Sequence, residues 1–234
     1  MQAKYKRILL KISGEALSGG KGHGYDTQAL SGVAKQIADL SKLGVEVGVV
    51  VGGGNFWRGR QGDEMDRSTA DYMGMIATVI NALAMADSLE RQGVQARVLT
   101  AFSISGIGET FNYKNADRYL SEGKVVVFGG GTGNPYFTTD TGASLRAVEI
   151  KADALLLAKN VDGIYDSDPK TNPNAKKFDK LSYDEYVSLG LKALDTSAVV
   201  MCKENGLKIH AFGLDGDESI VNAVVGDQAG TVVY

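Results

Sequence analysis

The stretch KVVVFGGGTGNPYFTTD, residues 124–140, joins an apolar run to a cluster of glycines, hydroxyl side chains and a carboxylate. The run is β-branched and apolar without alternation, which is typical of a strand that is covered on both faces. The glycines after it allow backbone N–H groups to approach a ligand closely. The stretch therefore predicts a buried strand whose carboxyl end opens into a ligand-binding loop.

Apolar runs of this kind recur along the chain, and helical patterns separate them. The predicted strands are residues 6–12, 46–52, 95–102, 124–130, 152–160 and 207–213. The predicted helices cover about 26–43, 68–92, 115–122, 140–151, 195–205 and 217–225. This alternation predicts an α/β fold, built on a mainly parallel, doubly wound sheet with helices on both faces.

The chain is predicted to form a single domain over residues 1–234. Of its 234 residues 44% are hydrophobic, which is enough for a sizeable core. Neither an internal repeat nor a linker rich in Pro, Gly or Ser divides the sequence. The one long polar stretch, DSDPKTNPNAKKFD at 166–179, predicts a loop or flap.

Composition argues against several classes of function. A net charge of -3 argues against a nucleic-acid-binding surface. The single cysteine, Cys202, excludes an internal disulfide and a cysteine-based zinc site, and His23 and His210 are too few for a histidine-rich metal site. No apolar run approaches the roughly 20 residues that cross a membrane. The basic N-terminus lacks a small-residue cleavage site, so we expect a cytoplasmic protein with no membrane partner.

Glycine clusters follow three of the predicted strands, at 13–24, 52–62 and 129–135. Loops at the carboxyl ends of parallel strands gather along one edge of the sheet, where ligands bind. Such loops suit phosphate, although each alone could be a simple turn. A Walker A loop is excluded, because Gly20-Lys21-Gly22 and Gly123-Lys124-Val125 lack the required Ser or Thr. The loops also miss the glycine spacing of a dinucleotide fingerprint.

Charged residues lie beside these loops. Lys11 closes the first strand, Arg58 follows the second glycine run, Asp140 ends the third motif and Lys159 ends the fifth strand. Cations at strand ends suit the charge that develops in phosphoryl transfer. No histidine or serine motif next to the third loop supplies a base or nucleophile. A phosphate or carboxylate acceptor needs no base, since it is already anionic near pH 7. The pattern therefore favours a kinase that acts on an acid or a phosphate.

Several stretches of the chain resemble the amino-acid-kinase family, over essentially the whole length. They are YKRILLKISGEAL (5–17), VGVVVGGGNFWRG (47–59), DYMGMIATVINALAM (71–85), GTGNPYFTTD (131–140), KNVDGIYDSDP (159–169) and GTVVY (230–234). The stretch 131–140 resembles the bacterial members that phosphorylate UMP. The resemblance implies a three-layer sandwich and transfer of the γ-phosphoryl group of ATP to UMP. The alternatives are another acid kinase of this fold, such as a carbamate or acetylglutamate kinase, and a catalytically silent nucleotide-binding regulator.

The resemblance also implies a role for particular residues. The implied catalytic residues are Lys11, Arg58, Asp140 and Asp195. The implied ATP contacts are Lys11, Ile12, Ser13, Gly14, Gly54, Arg58, Lys159, Asn160, Tyr165 and Asp168, with either Lys159 or Asn160 making the contact at that position. The implied UMP contacts are Gly53, Asp71, Thr132, Gly133, Asn134, Pro135, Tyr136, Phe137, Thr138 and Thr139. Asp71 could instead serve the dipole of the helix that follows it, and Tyr136 and Phe137 could be core residues.

Further partners are implied in the same way. Magnesium would be held mainly by the nucleotide phosphates, without a protein metal site. GTP is implied as an activator and UTP as an inhibitor, with a GTP contact or a mobile loop at Gly19, Gly20, Lys21, Gly22, His23 and Gly24. The helix predicted at about 68–92 has an apolar arc wider than one sheet-facing stripe. It is either a buried interior helix or, as the family implies, the contact of dimers that assemble into a homohexamer.

Overall fold

The computed structural model describes residues 3–57, 65–226 and 230–234. Strands β1 to β11 are, in chain order, Arg7–Ile12, Glu46–Val51, Ala96–Thr100, Glu109–Thr110, Val125–Gly129, Ala154–Lys159, Ile164–Tyr165, Lys177–Phe178, Lys180–Leu181, Lys208–Gly213 and Thr231–Val233. Helices α1 to α8 are Gly14–Ser18, Thr27–Lys42, Arg67–Arg91, Tyr113–Ser121, Thr139–Glu149, Tyr183–Ser188, Thr196–Glu204 and Ser219–Val225. A short 3₁₀ helix covers Gly19–Lys21.

Nine of the strands form one sheet in the order β4-β3-β5-β2-β1-β6-β10-β11-β9. All neighbours in it are parallel except β10 and β11, which are antiparallel. The other two strands, β7 and β8, pair antiparallel at the base of the polar stretch predicted as a loop or flap. The mainly parallel α/β sheet predicted from the sequence is confirmed, and each predicted strand and helix is present.

Helices cover both faces of this sheet, so the fold has three layers. One core packs β1, β2 and β6 against α2, α3 and α8, and the other packs the same strands against α4, α5, α6 and α7. Consecutive residues of β1 alternate between the cores: Leu9 lies in the second and Leu10 in the first. The same alternation turns Lys11 toward α5 and α7. Cys202, on α7, lies in the second core with its Sγ 3.5 Å from Ser144 Oγ.

Helix starts are defined by side-chain caps. Asp26 accepts hydrogen bonds from the backbone N–H groups of Gln28 and Ala29 at the start of α2. At the start of α5, Thr138 accepts from Asp140 and Thr141. This second cap fixes the point at which the chain leaves the third glycine loop.

Among the described residues, α3 is the helix that is long and apolar enough, by length and composition, to cross a membrane. The sequence predicted no such run, because polar residues such as Thr78 and Asn81 interrupt the apolar stretch, although one window of the helix has a mean hydropathy of 1.3. Half of that window is buried in the protein. The helix packs against α2, β2, β3 and β5.

Candidate active site

The three glycine loops lie at one edge of the sheet, as predicted. They follow β1, β2 and β5, which are adjacent and parallel in the order β5-β2-β1. The first two loops touch: a Cβ at Gly14 would overlap Asn55 Oδ1 and the carbonyl oxygen of Gly52. Gly14 therefore cannot be replaced by a larger residue without moving one loop away from the other.

Four charged side chains meet beside these loops. Lys11 Nζ lies 2.7 Å from Asp140 Oδ1, and the two side chains are 14% and 18% exposed. Lys159, at the end of β6, donates a hydrogen bond to the carbonyl of Ala193. Asp195 stands at the start of α7 and accepts a hydrogen bond from the Thr138 hydroxyl. Because β1 and β6 are neighbours and α5 and α7 start above them, two cations and two carboxylates share one small region.

Burial is the main reason why the pKa of Lys159 lies below its usual value. The carboxylate of Asp140 opposes this effect, the ammonium of Lys11 adds to it, and Asp195 opposes it. These three groups therefore act on the Lys159 charge directly.

A pocket of about 200 Å³ opens between the second and third glycine loops and α3. The predicted acceptor residues that line it are Gly53, Asp71, Thr132, Asn134, Phe137, Thr138 and Thr139. The other three predicted residues, Gly133, Pro135 and Tyr136, belong to the same loop but are not part of the pocket wall. Six further wall residues were not predicted as contacts: Trp57, Ala70, Gly74, Met75, Thr78 and Gly131.

Asp71 connects α3 to the third glycine loop. Its Oδ2 accepts hydrogen bonds from the backbone N–H of Tyr136 at 2.8 Å and from Arg67 Nε at 2.9 Å. The cap of α3 is Asp66, so Asp71 lies beyond the first turn, where a helix dipole has little effect. The dipole role considered for Asp71 is therefore not its main one.

Tyr136 and Phe137 are not core residues. Their exposed fractions are 67% and 54%, so the packing role considered for them is wrong. Tyr136 has a φ of 71°, which a non-glycine residue adopts rarely. The guanidinium of Arg67 lies over its ring, 5.4 Å from the centroid. Arg67 and Asp71 therefore hold both the side chain and the backbone of Tyr136.

A second pocket, of about 500 Å³, lies beyond Lys159. Of the predicted donor-side residues, Tyr165 and Asp168 line it. The Tyr165 hydroxyl donates to Asp162 Oδ1 at 2.6 Å, and Asp168 Oδ1 accepts from the backbone N–H of Lys170 at 2.9 Å. Lys159 and Asn160 are not in its wall, but Ala193, which accepts the Lys159 hydrogen bond, is.

The remaining predicted donor-side residues lie at the first two loops. Ile12 ends β1, Ser13 caps α1 by accepting from the Ala16 N–H at 3.3 Å, and Gly54 lies in the wall of the smaller pocket. Arg58 lies outside the described residues. Within residues 3–57, 65–226 and 230–234, there is no group of three or more His, Cys, Asp or Glu side chains that could hold a metal ion.

The segment considered for GTP is attached to the second glycine loop. Gly24 donates its N–H to the carbonyl of Asn55 at 2.9 Å and accepts from Asn55 Nδ2 at 2.7 Å. The His23 ring packs edge-on against Phe56, and Lys21 pairs with Asp26 at 3.3 Å. Gly19, Gly20 and Gly22 of this segment are exposed.

Buried polar residues near the loops were missed by the sequence reading. Thr78 and Asn81 on α3, Asn55 in the second loop and Arg146 on α5 all bond the loop backbones or one another. A signal did exist: Asn81 interrupts the apolar stripe of α3. A polar residue in an apolar stripe must find a partner when it is buried.

Comparison with known proteins agrees with this geometry. A sequence model described as the Amino acid kinase family matches residues 6–213. The structure is similar to that of UMP kinase from Bacillus anthracis, with 36% identity, a TM-score of 0.94, and coverage of 98% of this chain and 96% of that one. It is also similar to UMP kinase from Ureaplasma parvum, with 37% identity, a TM-score of 0.92, and coverage of 100% of this chain and 99% of that one. A third similar structure is uridylate kinase from Archaeoglobus fulgidus, with 29% identity, a TM-score of 0.76, and coverage of 97% of this chain and 99% of that one.

Proposed function

Because the chain belongs to the amino acid kinase family, we propose that it transfers the γ-phosphoryl group of ATP to UMP, giving UDP and ADP. It is a nucleoside monophosphate kinase of pyrimidine biosynthesis. The transfer is direct and in line, without a phosphoenzyme.

The observation that carries this function is the position of the charged cluster between two pockets. Asp195 accepts a hydrogen bond from Thr138, which lies in the wall of the smaller pocket. Lys159 donates a hydrogen bond to the carbonyl of Ala193, which lies in the wall of the larger pocket. A phosphoryl group that passes from one pocket to the other therefore passes Lys11 and Lys159. Two cations at this point stabilise the negative charge of the transferring group.

The acceptor explains why no base is needed. The second pKa of a phosphate monoester is near 6, so UMP is an anionic nucleophile at neutral pH. The work left to the protein is to hold the two nucleotides in line and to neutralise charge. Asp140 keeps Lys11 in place through their ion pair, and Arg58 adds a further cation. Magnesium, when bound with ATP, neutralises phosphate charge, and Asp140 and Asp195 are the carboxylates available to orient it.

The two nucleotides are assigned to the two pockets. UMP occupies the smaller one, between the third glycine loop and α3. ATP occupies the larger one, with its phosphates at residues 11–14 and at Gly54, and its adenosine near Tyr165 and Asp168. Contact with ATP is assigned to Lys159 rather than to Asn160, because Lys159 is half-buried beside Asp140 while Asn160 is exposed.

Further properties complete the proposal. The protein acts in the cytoplasm and assembles through α3 into dimers and then a hexamer. GTP activates it through the segment 19–24, and UTP inhibits it. The GTP contact is supported by the hydrogen bonds between Gly24 of this segment and Asn55 of the second glycine loop. Through these bonds, a ligand bound at 19–24 is connected to the backbone that binds phosphate.

The test is a coupled assay of ADP release with several acceptors. UMP should be phosphorylated much faster than CMP, because a pocket that bonds the uracil leaves groups unpaired with cytosine, at about 1–3 kcal/mol each. Lys11→Met is the control: it keeps the aliphatic stem, and its turnover should fall by roughly 10²–10³. Equal rates with CMP, or rapid phosphorylation of carbamate or acetylglutamate, would assign the chain to another acid kinase. Nucleotide binding without turnover would make it a regulator.

A further inference from the structure

Helix α3 carries two buried polar side chains on the side that it turns toward the glycine loops. Thr78 is 5% exposed and Asn81 is fully buried. The two are three residues apart, so they lie on the same side of the helix. Their neighbours on this side, Ala82 and Met85, are buried and apolar. Thr78 lies in the wall of the pocket assigned to UMP, and Asn81 lies in the wall of neither nucleotide pocket.

Thr78 holds the third glycine loop where it begins. Its Oγ1 accepts a hydrogen bond from the backbone N–H of Gly130 at 2.8 Å and donates one to the carbonyl of Met75 at 2.6 Å. Gly130 is buried and has a φ of 84°. The chain thus makes a turn that favours glycine at the point where the helix holds it.

Asn81 holds the second glycine loop. Its Nδ2 donates to the carbonyl of Gly52 at 2.7 Å and to Asn55 Oδ1 at 2.7 Å. Asn55 Nδ2 donates in return to Asn81 Oδ1 at 3.1 Å and also to the carbonyl of Gly24 at 2.7 Å. A single side chain on α3 is therefore connected to the second loop directly and to the first loop through Asn55.

We propose that Thr78 and Asn81 are positioning residues that fix the third glycine loop relative to the first and second glycine loops. This inference rests on the proposed function, in which these three loops hold UMP and the phosphates of ATP. Both hydrogen bonds lead from one rigid helix to the backbone of a different loop. The distance between the loops is thereby set by the helix, one turn of which separates the two anchors.

A role in folding alone makes a different prediction. Buried hydrogen bonds stabilise a fold, so their loss would lower the melting temperature and leave the Michaelis constants of the remaining folded enzyme unchanged. Misplacement of a loop changes how the nucleotides that it contacts bind. Thr78 should then affect UMP, whose loop it holds, and Asn81 should affect both nucleotides, because the second loop supplies Gly53 to the UMP pocket and Gly54 to the phosphates of ATP.

The experiment uses the full-length enzyme with Thr78→Val and Asn81→Leu, which keep shape and remove hydrogen bonding. We expect kcat/KM to fall about 10- to 100-fold, the scale for misplacing a substrate by about 1 Å. The KM for UMP alone should rise in Thr78→Val, and the KM values for both UMP and ATP should rise in Asn81→Leu. Thr78→Ser keeps the hydroxyl and should restore the KM for UMP.

The matched control is Ser88→Ala. Ser88 is 1% exposed and lies seven residues after Asn81 on the same side of α3, and no hydrogen bond joins it to a residue of the glycine loops within the described part of the chain. It should change the melting temperature without changing either KM. Thr78→Val and Asn81→Leu proteins that behave like Ser88→Ala would overturn the proposal.

Hydrogen exchange separates this proposal from the proposed function. If the wild-type protein does not phosphorylate UMP, the proposed function fails, but the anchors can still be tested. The Gly130 amide should exchange faster in Thr78→Val than in Ser88→Ala, because it has lost its acceptor. Unchanged exchange at Gly130 would refute the anchor whatever the activity.

Discussion

At the residue scale, Lys159 is a half-buried cation whose neighbours control its charge. Burial lowers its pKa, Asp140 opposes the change, Lys11 reinforces it, and Asp195 opposes it. The usual pKa of a lysine is about 10.4. Because the pKa is lowered, the folded protein releases this proton at a lower pH than the unfolded chain does. The free energy of unfolding therefore rises with pH between the lowered pKa of the folded protein and the usual pKa of the unfolded chain.

We therefore expect affinity for ATP to fall as pH rises toward about 10, since Lys159 loses its charge below the usual lysine pKa. The measurement is a calorimetric titration of an unreactive ATP analogue between about pH 7 and about pH 10. In Lys159→Arg the guanidinium stays protonated, so the loss at alkaline pH should disappear. The same alkaline loss in Lys159→Arg would show that another group causes it.

At the scale of elements, α3 and the third glycine loop meet at Asp71. Its carboxylate accepts from the N–H of Tyr136 and pairs with Arg67. It also lines the pocket assigned to UMP, where a carboxylate can accept hydrogen bonds from both ribose hydroxyls. Asn at this position can still accept from the Tyr136 N–H but has lost the charge.

Asp71→Asn should therefore weaken UMP binding about tenfold or more, since charge-assisted hydrogen bonds contribute about 1.5–3 kcal/mol and 1.4 kcal/mol is one decade. ATP affinity should hardly change, and the preference for UMP over dUMP should decrease. Calorimetric titration of UMP and dUMP measures both effects. Asp87→Asn is the matched control, because Asp87 pairs with Arg91 on the same helix and is exposed. Unchanged UMP affinity in Asp71→Asn would exclude Asp71 from the site.

The sequence predicted those elements that are long and periodic. Its six strands and six helices are all present, because an apolar run or a stripe is visible within one segment. The two-residue strands β4, β7, β8 and β9 were missed. They are defined by hydrogen bonds to other strands, and two residues are too short to show a sequence pattern. At the site, the glycines and charges were visible in sequence. Thr78 and Arg146 were not, because a buried polar side chain on a helix looks the same in sequence as an exposed one, and Asn81 was visible only as an interruption of the apolar stripe of α3.

Arg146 shows how the rest of the loop is supported. Its side chain is 7% exposed, pairs with Glu149 at 2.5 Å, and donates to the carbonyl of Gly131 at 3.2 Å. Its guanidinium also lies 4.0 Å from the centroid of the Phe111 ring. The third glycine loop is therefore held by α5 at Gly131 as well as by α3.

At the scale of the whole molecule, α3 has an exposed apolar face opposite its buried one. The exposed residues are Tyr72, Met73, Ile76, Ile80 and Leu83, each between 37% and 48% exposed. The helix is therefore not an interior helix of this chain. An apolar face of this extent is typical of a contact between subunits.

We expect the wild-type protein to be an oligomer at micromolar concentration, and the substitutions Ile76→Asp and Ile80→Asp together to dissociate it. Two charges cannot be buried at an apolar contact without a large desolvation cost. Light scattering measures the mass of each protein. Val187→Asp is the control, since Val187 is an exposed apolar residue on α6. A monomeric wild-type protein would refute the assembly.

The position of Cys202 provides a chemical reporter for this molecule. Burial raises the pKa of its thiol to about 11, and it is the only cysteine in the chain. Because the thiolate is the reactive form, an alkylating reagent at neutral pH modifies the side chain only after the second core has opened. The rate of modification therefore measures how often the second core opens. A bound nucleotide stabilises the closed fold, so the modification rate should fall in proportion to the fraction of the protein that carries the nucleotide.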